Sequence, residues 1–316
     1  MTLDPELERP RTSADPAFSD AVTCAFADPA AGVQGTVRIG VAGGVASGLL
    51  LVFADGAPAL THAEGGVPVG PQPQGYDELS AAGIDHEVVE PHRRWTVAVA
   101  TDEGALDLEL EAVGPPLVLG PGHPAARQGG MQGYEQPCRV RGTVRIGERR
   151  IAIDGVGQRG HQWGAPDWTT IDLARTATGW FGGELSFALS ALRPTGAASH
   201  ADEIAWAAVS RPAPRTEPTG EGEVPADAHA PASGPIAVET PEPRISTTTD
   251  ADGRHTLATI ELWESDEGPV WTATGEAIAG TTMELGRLRL DTAFFRWRLG
   301  GRDGVGRYDV LRKLPG

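Results

Sequence analysis

The chain has 316 residues, 40% of them hydrophobic, enough for two folded units or one large one. Its formal charge of −17 opposes phosphate backbones and anionic lipid, so neither nucleic-acid binding nor membrane insertion is expected. Lys313 is the only lysine, which excludes a lysine nucleophile elsewhere, and the only cysteines, Cys24 and Cys138, read as buried thiols rather than a disulfide framework or a cysteine-rich metal site.

The acidic start, Met1 to Glu8, lacks the apolar run of a signal peptide, so the expected location is cytoplasmic. Residues 1 to about 20 read as a tail draped over the fold. The 42 glycines and 26 prolines disfavour long helices, and the one helical piece expected is short, around residues 77–82. Segments 96–100, 106–110 and 257–262 alternate apolar and polar residues with a period of two, the pattern of strands in antiparallel sheets. Residues 65–75 read as a Pro- and Gly-rich loop. His86 and His92 flank Glu87 and Glu90 without a closed ligand set, so they read as a solvated face and no metal is expected. The loop 114–130 is the expected boundary, dividing the chain into units 1–130 and 131–316. Segments 143–146 and 150–153 read as two strands around Gly147. Residues 211 to about 243 are too polar and Pro-rich to repay ordering and read as a disordered insertion in the second unit, a solvated linker more than a lid. His229 and His255 fall in or near polar loops and read as inert. Residues 302–311 read as a hairpin turning at Asp303-Gly304. The fold class is therefore all-β, sandwich or barrel.

The densest chemistry lies in Gly155-Val156-Gly157-Gln158-Arg159-Gly160-His161-Gln162-Trp163-Gly164-Ala165-Pro166-Asp167-Trp168. Gly155, Gly157 and Gly160 have the spacing of a dinucleotide fingerprint, but Gly164 and Pro166 would break the helix that motif must open, so no nucleotide site is expected.

The same run resembles the signature Gly-x-Gly-x-Arg-Asp-His-Ser-Trp-Gly-x-Arg-Asp-Trp of AttH-like and hydroxyneurosporene-synthase-like (carotenoid 1,2-hydratase) proteins. Glu90-Pro91-His92-Arg93-Arg94-Trp95 is similar to the family's Glu-Pro-x-x-x-Trp strand entry. Tyr134-Glu135-Gln136, Gly142-Thr143-Val144 and Asp303-Gly304-Val305-Gly306 resemble further family segments. Two positions depart: Gly160 stands where the family usually has Asp, and Pro166 where it has Arg. The resemblance implies two tandem lipocalin-like antiparallel β-barrels. It also implies a cofactor-free hydratase or cyclase acting on an apolar, isoprenoid-like alkene.

Such chemistry needs an acid kept protonated by burial and indole faces to stabilise a carbocation. In this reading Asp167 is the acid and His161 orients water or relays a proton. Trp163, Trp168 and Trp180 wall the cavity, and Arg159 and Glu184 contact substrate. The partner is a hydrophobic small molecule, and no cofactor is expected. The alternatives are a carrier that holds such a molecule without transforming it and a pericyclase of Diels–Alder type that works by shape. The competing structural readings are core tryptophans, a satisfied core histidine at position 161 and an Arg159–Asp167 ion pair.

Overall fold

The computed structural model describes residues 5–69, 79–213, 234–264 and 270–314. It is all-β, built from two antiparallel sheets. The first contains β1 (Ser19–Asp28), β2 (Val33–Ala42), β3 (Val45–Ala54), β4 (Ala57–Pro68), β5 (Leu79–Ala81), β6 (Ile84–Glu90), β7 (Arg94–Ala100), β8 (Gly104–Ala112), β9 (Leu117–Leu119), β10 (Met131–Ile146) and β11 (Arg149–Gly164). Neighbours run β4-β3-β2-β1-β11-β10-β8-β7-β6-β5, with β9 beside β10, and the sheet nearly closes into a barrel. The second contains β12 (Ile171–Trp180), β13 (Ser186–Pro194), β14 (Ile204–Arg211), β15 (Ile236–Thr240), β16 (Arg244–Thr249), β17 (His255–Trp263), β18 (Val270–Leu285), β19 (Leu288–Leu299) and β20 (Arg302–Lys313). It curls as a half-barrel in the order β15-β14-β13-β12-β20-β19-β18-β17-β16. Two lipocalin-like barrels in tandem describe the molecule.

Period-two alternation explains the strands. In β7 and β8, Trp95, Val97, Val99, Leu106, Leu108 and Leu110 are buried while their neighbours face outward. These residues belong to the core that fills the first barrel. Phe187, Phe295, Trp297 and Tyr308 anchor the core of the second. A third cluster joins the sheets, with Ala25, Leu51 and Phe53 meeting Trp180, Phe294 and Val305.

The chain leaves the first sheet at Gly164 and enters the second at Ile171, well after residue 130. The Gly- and Pro-rich loop at 114–130 looks like a boundary, yet it carries β9 and a helix, α1 (Pro124–Gly129), capped by His123. β10 and β11 then fill the place between β8 and β1 and complete the first sheet. α1 is the one α-helix among the described residues; Leu79, Ser80 and Ala81 form β5 instead of the expected helix, and Asp77 and Glu78 lie outside the described residues. Of the expected insertion, Ile236–Thr240 pairs with β14, and 214–233 lie outside the described residues. The last hairpin turns at Gly300-Gly301, both at positive φ (57° and 77°), which suits a tight two-residue turn. Asp303 and Gly304 sit within β20, opposite Arg298 and Trp297.

A short 3-10 turn, Pro5–Glu8, plugs the first barrel with the Glu8 side chain. Glu8 Oε2 lies 2.7 Å from Arg159 Nη2, and Oε1 accepts from the His92 N–H (3.0 Å) and Trp95 Nε1 (3.1 Å). The second barrel repeats the device. Glu203 pairs with Arg175 at 2.9 Å and Arg193 at 2.7 Å, and Arg175 donates to Thr247, which bonds the Tyr308 hydroxyl. The solvated-face reading of His86 and His92 does not hold. Alternation buries His86 while Glu87 stays exposed, and His92, in a turn at φ 56°, reaches the Glu8 plug. His255 is also buried, stacked on Phe295 and bonded to the Tyr308 carbonyl at 2.8 Å. Cys24 and Cys138 are buried free thiols in the first core. Among the described residues no helix is long and apolar enough to cross a membrane.

Candidate active site

β11 runs unbroken from Arg149 to Gly164, so none of its glycines opens a helix. Its pleat divides the signature in two. Odd-numbered Arg159, His161 and Trp163 point into the first barrel; even-numbered Gln158, Gly160 and Gln162 point to the opposite face. A run that reads as one cluster is therefore two sets on opposite sides of a sheet.

The inward set is saturated. Arg159 is fully buried, paired with Glu8, bonded to the Tyr134 hydroxyl, and within cation–π reach of Trp95 (5.6 Å) and Tyr134 (5.4 Å). Burial would raise the Glu8 carboxyl, but Arg159 and the His92 N–H hold it below its ordinary range. His161 Nδ1 meets the Leu7 carbonyl at 2.8 Å and Nε2 meets Asp20 Oδ1 at 2.6 Å, so both ring nitrogens are committed to oxygen acceptors. Trp163 packs on His161, and the Arg11 guanidinium lies over its ring at 5.0 Å from the centroid. These three side chains bind the amino-terminal segment to the barrel, and Arg159 pairs with Glu8 in place of Asp167.

The opposite face borders a cavity of about 720 Å³ between the two sheets. It opens where the first sheet offers small side chains, Ser19, Thr23, Ser47 and Gly48, and the second offers Ala174, Thr176 and Ala188. One end is apolar, with Leu117, Leu119, Trp168, Ile171, Leu192 and Trp206. Among its polar lining are Glu135, Gln158 and Gln162 from the first sheet and Arg307 and Asp309 from β20. Arg307 Nε donates to Asp309 Oδ1 at 3.0 Å, and Thr292 donates to the same oxygen at 2.6 Å.

Glu135 is a cavity carboxyl group that the sequence did not single out. It lies on β10 directly across from Gly160. Its Oε2 accepts from Gln158 Nε2 at 2.6 Å and its Oε1 from Gln162 Nε2 at 2.9 Å. Burial pushes its pKa up from 4.5 to about 7, against the lowering pull of Arg307 and Gln162. A Cβ on residue 160 would lie 2.3 Å from Glu135 Oε2. The glycine that replaces the family's Asp thus seats a carboxyl group supplied by the neighbouring strand. The departure at Gly160 and the acidic residue in the Tyr134-Glu135-Gln136 segment were the available signals.

The other named residues are scattered. Asp167 is exposed in the turn after β11, where its Oδ1 accepts from the Thr169 hydroxyl (2.6 Å) and N–H (2.8 Å); these bonds hold its pKa below the ordinary value. A solvated, ionised carboxylate is the wrong group to protonate an alkene, so Asp167 is not the buried acid expected from the sequence. Glu184 is exposed in the β12–β13 connection. Trp168 lines the cavity; Trp163 and Trp180 do not. Trp180 is buried between the sheets and donates to Gln158 Oε1 at 3.2 Å. Among the described residues no group of three or more His, Cys, Asp or Glu gathers as a metal site.

The family profile described as Domain of unknown function (DUF7064) matches residues 4–217. The chain belongs to the DUF7064 family. No curated protein matches its sequence. Solved structures share its fold at low identity. An AttH protein from Nitrosomonas europaea superposes with a TM-score of 0.65 at 11% identity, covering 93% of this chain and 92% of that one. Kievitone hydratase from Nectria haematococca gives 0.61 at 10% identity, covering 93% and 88%. CghA, in a structure with Sch210972, gives 0.58 at 13% identity, covering 95% and 90%. This DUF7064 protein carries the AttH-like fold of tandem lipocalin-type barrels.

Proposed function

We propose that this DUF7064 protein is a hydratase or cyclase that protonates a carbon–carbon double bond of a largely apolar small molecule held between its sheets, with Glu135 as the acid. The observation that carries this reading is a carboxyl group with a pKa of about 7 in an otherwise mostly apolar cavity. Such an acid stays substantially protonated near neutral pH, as general acid catalysis needs. The fold neighbours include a protein named for hydratase activity and one whose structure contains Sch210972, which fits a scaffold used for small-molecule chemistry.

In the proposed reaction the Glu135 O–H bond breaks and its proton forms a new C–H bond on the alkene. The resulting cation lies in a cavity walled by the indoles of Trp168 and Trp206. Water, or a second alkene of the same molecule, attacks the cation. The proton then lost from that water or from a neighbouring carbon returns to the Glu135 carboxylate. Terpenoid-like alkenes suit the apolar end, and residues of the protein alone supply the proton.

The test starts with native mass spectrometry of the purified protein and analysis of any organic compound it carries, then turnover assays on that compound and on a panel of terpenoid and polyketide alkenes. Glu135→Gln should still bind the ligand and lose about 100-fold or more in kcat. Wild-type turnover should fall as pH rises through about 7. Ligand bound without turnover by the wild type would make the protein a carrier, and full activity in Glu135→Gln would remove the acid role.

A further inference from the structure

A carboxylic acid delivers its proton only along the lone pair that carries it. Both oxygens of Glu135 already accept one amide hydrogen bond each, Oε2 from Gln158 and Oε1 from Gln162. Amide NH2 groups donate and cannot receive a proton. An amide turned end for end would present its carbonyl oxygen instead. That oxygen would take the acid's O–H as an internal hydrogen bond and draw the proton away from the cavity.

For Gln158 that rotation is blocked. Its Oε1 accepts from Trp180 Nε1, and an indole N–H can only donate. Trp180 itself is fixed among Ala25, Phe53, Phe294 and Val305 where the sheets meet, and is 2% exposed. It does not line the main cavity, and its indole N–H is linked to Glu135 by way of the Gln158 amide.

We propose that Trp180 is a positioning residue: by holding the Gln158 amide in one orientation, it denies the Glu135 proton an internal acceptor on the Oε2 side and leaves it available to the cavity. The catalytic consequence rests on the acid role proposed above, but the orientation itself needs no substrate.

The experiment is a carbon-detected NMR titration of the Glu135 carboxyl, assigned by its disappearance in Glu135→Gln, in the wild type, Trp180→Phe and Gln158→Met. Trp180→Phe frees the amide to turn. The ionised carboxyl then loses a donor and the protonated carboxyl gains an acceptor, and both changes favour the protonated form. The Glu135 titration should move upward by about one pH unit, a tenfold change in its proton affinity. Gln158→Met removes the donor without offering an acceptor, so its shift should be upward and smaller. Where substrate is in hand, Trp180→Phe should lower kcat and leave KM unchanged. An unmoved titration in Trp180→Phe, with the fold retained, overturns the inference. So does a Gln158→Met shift equal to or larger than that of Trp180→Phe, and should Trp180→Phe fail to fold, an unmoved titration in Gln158→Met does the same. Failure of the acid role reads out separately, as retained turnover in Glu135→Gln.

Discussion

Gly160 and Glu135 face each other across β10 and β11, and the carboxyl of one fills the space that the missing side chain of the other leaves open. Gly160→Ala should push the carboxyl off its amides and cost about 1–3 kcal/mol of stability, as overpacking does. In a Glu135→Ala background the same substitution should cost clearly less, because the clash is gone. Urea unfolding of the four proteins in a double-mutant cycle measures this coupling, and additive effects would place the carboxyl elsewhere.

The titration of Glu135 should also appear in the stability of the fold. Its folded pKa of about 7 lies above the ordinary 4.5, so the folded state favours the protonated form. Its contribution is fully present below about pH 4.5, is lost as pH rises through about 7, and stays lost above that. The loss is on the order of 3 kcal/mol at about 1.4 kcal/mol per unit. Glu135→Gln should flatten this slope, so unfolding near pH 5 and pH 8 should show the wild type losing ground to the variant. An equal difference at both pH values would refute the raised pKa.

Glu8 and Arg159 form a buried pair in which removal of one partner strands the other. Glu8→Ala should cost about 3–5 kcal/mol in urea unfolding. It should also raise the exchange rate of amides in the first turns of the chain, since Leu7 and Arg11 are tied to the same barrel by His161 and Asp20. A loss below about 1 kcal/mol would mean that Arg159 finds compensation without the plug.

Asp167→Asn keeps the side-chain oxygen that accepts from Thr169. It should change stability by less than about 0.5 kcal/mol, as surface substitutions do, and should leave turnover and the pH profile intact. A large loss of kcat in this variant would return the acid role to the turn.

Much of the fold was legible because it is local. The hairpin about Gly147 follows from alternation on either side of a glycine at φ 56°. The candidate site was less so. Proximity in sequence grouped His161, Gln162 and Trp163, whereas the pleat sends the middle residue to the cavity and its neighbours to the barrel interior. Glu135 carried little local sign of its chemistry, because its pKa is raised by burial, against the lowering pull of Arg307, and that burial comes from how the strands and sheets pack. Composition marked the 114–130 loop as a boundary, and only the pairing of β11 with β1 shows the first sheet continuing past it.

The alternation of β11 separates what a single strand gives to the barrel interior from what it gives to the cavity wall. Positions 159, 161 and 163 hold the barrel and its amino-terminal plug, while 158, 160 and 162 seat the Glu135 carboxyl and shape the space beside it. A scan of substitutions along this strand would then beat with a period of two, stability falling at odd positions and selectivity shifting at even ones. Divergence within such a scaffold can proceed through one parity alone, remodelling the wall of the cavity while the interior that folds the chain stays as it is.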